Sequence, residues 1–137
     1  MSTYGLEIIT PERVFFEGEV EKMVIRGQEG EFAVLANHTP LVTGLATGIL
    51  RIFTSEKQWK EASLSGGFIK VTPTQVTVLT DAAEWPEEID VDRAKEALER
   101  AEKYAKEKDK YDYARAQAAI KRALIRIQVA EKHGQHR

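Results

Sequence analysis

Asp90 and Arg93 open a run of Ala, Lys and Glu, and Arg115 is followed by Arg122 and Arg126 at spacings of 7 and 11 residues. On a helix these intervals return to nearly the same direction, so the three guanidiniums fall along one line. A guanidinium presents paired N–H donors that match phosphate or carboxylate oxygens, which makes the line a candidate anion site. The plainer alternative is a solvated helix face. Asp90 divides in the same way. It is either a ligand-facing acceptor or an N-cap holding a backbone N–H, an interaction of ~1 kcal/mol. With a cap, Arg93 is an ordinary exposed residue and Asp92 an acid near the positive helix end.

Other chemistry is sparse. No G-x-x-x-x-G-K-[ST] occurs, so any nucleotide is held without a P-loop. His38, His133 and His136 are too scattered for a metal motif, and the absence of Cys removes disulfides, thiolate ligands and thiol nucleophiles. Glu87 and Glu88 suit the positive end of the following helix better than an acid–base pair. No catalytic constellation emerges, and the chain reads as a non-enzyme without a redox cofactor.

Two kinds of element must position these residues. Over residues 1–84 the segments GLEII, RVFFEG, VEKMVIRG, EFAVL, GILRIFT, KEASLSG, FIKV and QVTVLT have strand length and are rich in Val, Ile and Phe. Turn signals such as GQEG, TSEKQ, SGG and TPTQ separate them. Strands this frequent, with no helical pattern between them, predict an antiparallel β-sandwich or flattened barrel. Over residues 85–137 the period changes to that of a helix. Ala94, Leu98, Ala101 and Ala105 share one face, with Ala97 and Tyr104 beside it; Tyr113, Ala116, Ile120, Ala123, Leu124, Ile127 and Ala130 share another. Joined through the polar KEKDKYD, the two stretches predict an antiparallel helical hairpin. Its small side chains bury under ~1 kcal/mol each, so the hairpin is either a movable element that leaves the sandwich intact or a case of close helix packing.

Charge follows the same division. Residues 1–84 carry 7 Lys/Arg against 11 Asp/Glu, residues 85–137 carry 13 against 11, and the whole chain stands at −2. A basic tail on an acidic body does not favour nucleic acid, whose proteins usually carry a larger positive charge. No apolar run reaches membrane-span length, MSTYGLEIIT shows no basic region followed by an apolar run, and Cys is absent, so a reducing, cytoplasmic setting is expected. A stand-alone nucleotide-sensing protein is the alternative class, and a nucleotide hydrolase is disfavoured by the missing P-loop, base and metal motif.

Four stretches carry a resemblance across nearly the whole chain: GEFAVLANHTPLVTGLATGILRI, SGGFIKVTPTQVTVLTDAAE, IDVDRAKEALERA and ARAQAAIKRALIRIQVAEK. In order and spacing they resemble the epsilon subunits of bacterial F-type ATP synthases. The resemblance implies a β-sandwich followed by a helical hairpin. It also implies a place in the central rotor stalk, where ion-driven rotation, here expected to be hydrogen ion transport, is coupled to ATP synthesis. The expected partners are the gamma subunit, the c-ring through a loop carrying Glu31 and His38, and the beta and alpha subunits through the basic second helix. Peripheral attachment at the cytoplasmic face of the bacterial membrane follows. Where the family commonly has Pro-Gly before the His, this chain has Ala36 and Asn37, and Asn tolerates a left-handed backbone.

In bacterial members the pattern Ile/Leu-Asp-x-x-Arg-Ala opens the first helix and contributes to an ATP site completed by two Arg of the second. Ile89, Asp90, Arg93 and Ala94 match the pattern, Arg122 and Arg126 match the pair, and Glu84 is a further candidate; Arg100 and Arg115 rank lower. The resemblance thus implies ATP, with or without Mg, as a regulatory ligand. It would stabilise the folded hairpin, whose release would inhibit ATP hydrolysis.

Overall fold

The computed structural model describes residues 2–107 and 110–133. Contacts divide the chain into two compact units, Met1–Glu84 and Trp85–Arg137. In the first are β1 (Tyr4–Ile9), β2 (Val14–Gly27), β3 (Gly30–Leu35), β4 (Leu41–Thr54), β5 (Trp59–Val71), β6 (Gln75–Leu79) and β7 (Ala83–Glu84). In the second a short 3-10 turn (Pro86–Glu88) leads into α1 (Val91–Glu107) and α2 (Lys110–Lys132).

Segments read separately in the sequence are joined in the structure. RVFFEG and VEKMVIRG form the single β2, and KEASLSG runs into FIKV to form β5. Within β5, Gly66 (φ 74) and Gly67 (φ 112) take left-handed backbone without ending the strand. A Cβ on Gly67 would stand 1.9 Å from the Leu79 carbonyl oxygen, so the glycine serves the close approach of β5 to β6. β4 also reaches back through LVTGLAT to Leu41, a segment in which two Thr and one Gly conceal the strand pattern.

The pairing order is β1-β6-β5-β4-β2-β3, and β1 also pairs with β2. Five strands therefore close into a ring, with β3 continuing outside it on β2 and β7 attached to β5. All pairs are antiparallel except β1 with β6. Leu6, Ile8, Met23, Ile25, Leu50, Ile52, Leu64 and Ile69 fill the interior and are essentially inaccessible to solvent. Each contributes roughly 1.5–3 kcal/mol of burial, which is why a flattened barrel of modest size is self-sufficient. Among the described residues, no buried side-chain polar atom lacks a hydrogen-bond partner.

In the second unit the hairpin is antiparallel. Near the start of α1, Lys95 Nζ lies 3.6 Å from Glu131 Oε2 near the end of α2. Ala97 and Ala101 further along α1 line one groove with Ala116 and Ala119 of the earlier part of α2. Ala94, Ala101, Ala116, Ala123 and Ala130 are buried, as the helical period predicts. Two positions assigned to the apolar sector of α2 depart from it: Tyr113 and Leu124 are 49% and 48% exposed, while Val129 is buried. An alanine face covers only a narrow strip of its neighbour, and side chains at the edge of a broad sector stay in water. Residues 108 and 109 of the expected polar connection, and His136, lie outside the described residues.

Candidate functional site

The start of α1 is built from its own local chemistry. Trp85 N–H donates to the Glu88 carboxylate at 2.9 Å, closing the 3-10 turn, so Glu88 is a turn residue and not half of an acid–base pair. Asp90 then accepts twice: its carbonyl from Ala94 N–H at 3.0 Å, and its Oδ1 from Arg93 N–H at 3.1 Å. Asp90 is therefore the N-cap of α1, and the residue is exposed. Ile89 and Ala94 are 3% and 0% exposed. Both side chains are packed away.

The remaining candidates spread along the hairpin. Arg93 and Arg122 are exposed and Arg126 is half-buried. Measured from the Lys95–Glu131 pair at 1.5 Å per residue, Arg126 stands about 10 Å and Arg122 about 16 Å further along the axis than Arg93. The three guanidiniums thus frame an elongated strip rather than one point. Between α1 and α2 runs an open groove of about 550 Å³, floored by alanine methyls and bordered by Arg100, Tyr104 and Arg115. The two arginines ranked lower from sequence are the ones that the structure brings together across a groove. Their juxtaposition depends on interhelix register, for which a single sequence has no signal. Glu84 lies in β7 of the first unit, opposite Ser63 of β5.

Glu31 and His38 do not share a loop. Glu31 is inside β3, next to the two-residue Gln28–Glu29 turn, and its carboxylate accepts from Arg51 Nη2 at 3.2 and 3.3 Å. His38 lies beyond the opposite end of β3, with Nδ1 donating to the Thr39 carbonyl at 2.8 Å. The Gly30–Leu35 strand, at about 3.3 Å per residue, keeps the two apart. Asn37, at φ 65, takes the left-handed backbone expected of it.

A further surface had no signal in the sequence because it depends on register. Gly44, Phe68, Leu79 and Ile9 are successive cross-strand partners over β4, β5, β6 and β1. Phe68 is 62% exposed, Leu79 52%, and Val42, one step along β4, 69%. A groove of about 560 Å³ opens beside them, between Thr10, Gln28, Leu45 and Asp81. Apolar side chains gathered in this way on the outside of a barrel mark a contact surface. Among the described residues no His/Asp/Glu cluster of metal-binding form occurs, and no helix is long and apolar enough to cross a membrane.

Comparison with known proteins bears on the whole chain. Residues 3–86 match the family model for the ATP synthase delta/epsilon chain β-sandwich domain, and residues 87–131 match that for its long α-helix domain. The chain is 48% identical over 133 residues to an ATP synthase epsilon chain of Caldanaerobacter subterraneus, covering 96% of both. It is 51% identical over 110 residues to a sodium-ion-specific epsilon chain of Acetobacterium woodii, covering 80% and 82%. In the cryo-EM structure of the Euglena gracilis mitochondrial ATP synthase OSCP/F1/c-ring assembly, one chain superposes with a TM-score of 0.83 at 27% identity, covering 96% of this chain and 82% of that one.

Proposed function

Because this chain belongs to the ATP synthase delta/epsilon chain family, we propose that it is the epsilon subunit of an F-type ATP synthase, a non-catalytic component of the rotor stalk. The observation that carries the reading is the ordered match of both domains to a barrel followed by a hairpin, one element to grip the rotor and one to regulate it. The subunit is peripheral, at the cytoplasmic face of the bacterial membrane.

Gamma docks on the apolar outer row of Phe68, Leu79 and Val42, whose exposure costs solvation until a partner covers it. The c-ring meets one end of the barrel. The exposed Gln28–Glu29 turn beside Glu31 is one such end, and the turn carrying His38 is the other.

The hairpin binds ATP, with or without Mg. Arg93, Arg122 and Arg126 supply guanidiniums to the phosphates along the strip, and Asp90 is an acceptor for ribose or adenine. A ligand that binds only the closed hairpin stabilises it by RT ln(1 + [L]/Kd), roughly 2.7 kcal/mol at a hundredfold excess. That is commensurate with the weak burial of an alanine seam. ATP depletion then lets the helices open towards the beta and alpha subunits, where the basic face of α2 opposes hydrolysis-driven rotation.

Co-purification with gamma tests the reading. The unaltered chain should form a stable one-to-one complex, and Phe68→Glu with Leu79→Glu should weaken it at least roughly tenfold, as two buried charges would. An unaltered, folded chain that does not associate with gamma would overturn it.

A further inference from the structure

In the first unit, the ring leaves one full strand with an unpaired side. β1, β2, β4, β5 and β6 each have neighbours on both sides, whereas β3 pairs with β2 alone among the described residues. Edge strands are commonly blunted by Lys, Pro, a bulge or extreme shortness. β3, with the sequence GEFAVL, has no Lys, Pro or bulge; its one charge is Glu31, whose carboxylate is engaged by Arg51, and its register against β2 is uninterrupted from Gly27↔Gly30 to Lys22↔Leu35.

The direction of its free groups follows from the hairpin. Gln28 and Glu29 form a two-residue turn, so Gly27 and Gly30 close it as a hydrogen-bonded pair. Bonded pairs alternate along an antiparallel ladder, so Ile25 with Phe32 and Met23 with Val34 are bonded in turn. Glu31, Ala33 and Leu35 therefore point their backbone N–H and C=O groups away from β2. Their side chains are exposed, Leu35 at 51%. The row through Leu35 continues over Lys22 and Phe53 to Trp59, itself 52% exposed, so the free edge borders an aromatic surface.

We propose that the free edge of β3 receives an added β-strand from gamma, extending the barrel sheet across the subunit boundary; this rests on the rotor-stalk reading above. The edge specifies its occupant. Opposite Glu31, whose carboxylate already meets Arg51, the added strand places a cationic side chain; opposite Ala33 a small one; opposite Leu35 an apolar one. A second copy of this chain satisfies the edge less well. Pairing GEFAVL antiparallel with itself through the outward groups sets Glu31 against Leu35 or Ala33, so no oppositely charged pair forms across the new ladder.

Amide hydrogen exchange on the complex with gamma, compared with the free full-length chain, tests this directly. The Ala33 and Leu35 amides should exchange rapidly in the free chain and be slowed at least roughly a hundredfold in the complex, as amides gaining a strand partner are. Ala33→Pro, which removes one outward N–H without touching the β2 ladder, should keep the native circular dichroism and lose at least roughly tenfold in affinity for gamma. Exchange at Ala33 and Leu35 that is equally fast in the complex, or a folded Ala33→Pro chain that binds as before, would overturn the edge inference while leaving the subunit assignment intact. Failure of the unaltered chain to bind gamma would overturn both. Should Ala33→Pro not fold, the exchange measurement decides alone.

Discussion

The Tyr4 hydroxyl, buried at the start of β1, donates to the Val34 carbonyl at 2.6 Å and so ties the first strand to β3. Burial pushes its phenol well above the ordinary tyrosine range. The native state keeps this proton where the unfolded chain begins to lose it, so the contribution to stability is complete below about pH 10 and falls as pH rises beyond that. Tyr4→Phe should cost about 1 kcal/mol at neutral pH through the lost hydrogen bond, and should flatten the alkaline limb of the pH–stability curve. Urea titrations at pH 7 and at pH 11 check both effects. At this scale the sequence was partly readable. Asp90 carries a cap signature that its two hydrogen bonds realise, and Asn37 adopts the backbone its type permits. Glu31 was misplaced in a loop, because a glutamate in a strand shows its role only through Arg51, twenty residues away.

At the scale of elements, the same glycines that read as a turn are a device inside β5. Gly67→Ala should destabilise the barrel by at least ~2 kcal/mol, because the new Cβ meets the Leu79 carbonyl, an unyielding backbone atom. Gly66→Ala meets nothing nearer than 3.7 Å and should cost only ~1–2 kcal/mol for its positive φ. Comparing the two midpoints in thermal unfolding separates close approach from backbone strain. The contrast explains which elements were readable. Strand-length segments rich in Val, Ile and Phe between turn signals located the strands, and the helical period located α1 and α2. Ring closure through β1, the exposed row of Phe68 and Leu79, and the groove between Arg100 and Arg115 all arise from register between distant segments, on which local pattern is silent.

For the whole molecule, the division of labour follows the division of chemistry. The barrel is held by large aliphatic side chains and does not depend on a ligand. Among the described residues of the hairpin, the buried positions are mostly alanines beside Ile89 and Val129, and the exposed Lys95–Glu131 pair and the Asp90 cap add on the order of 1 kcal/mol or less each. The proposed regulation stands on the shift that a nucleotide binding only the closed hairpin would produce. Its most direct test is calorimetric titration of ATP into the full-length chain beside the Arg122→Ala, Arg126→Ala variant and Asp90→Ser, which keeps a cap. The account predicts one specific site for ATP, weakened at least roughly tenfold in the double arginine variant, as the loss of charge-assisted hydrogen bonds requires, and also weakened in Asp90→Ser without loss of helix. No heat of binding at millimolar ATP, or an affinity unchanged by removal of both arginines, would contradict it.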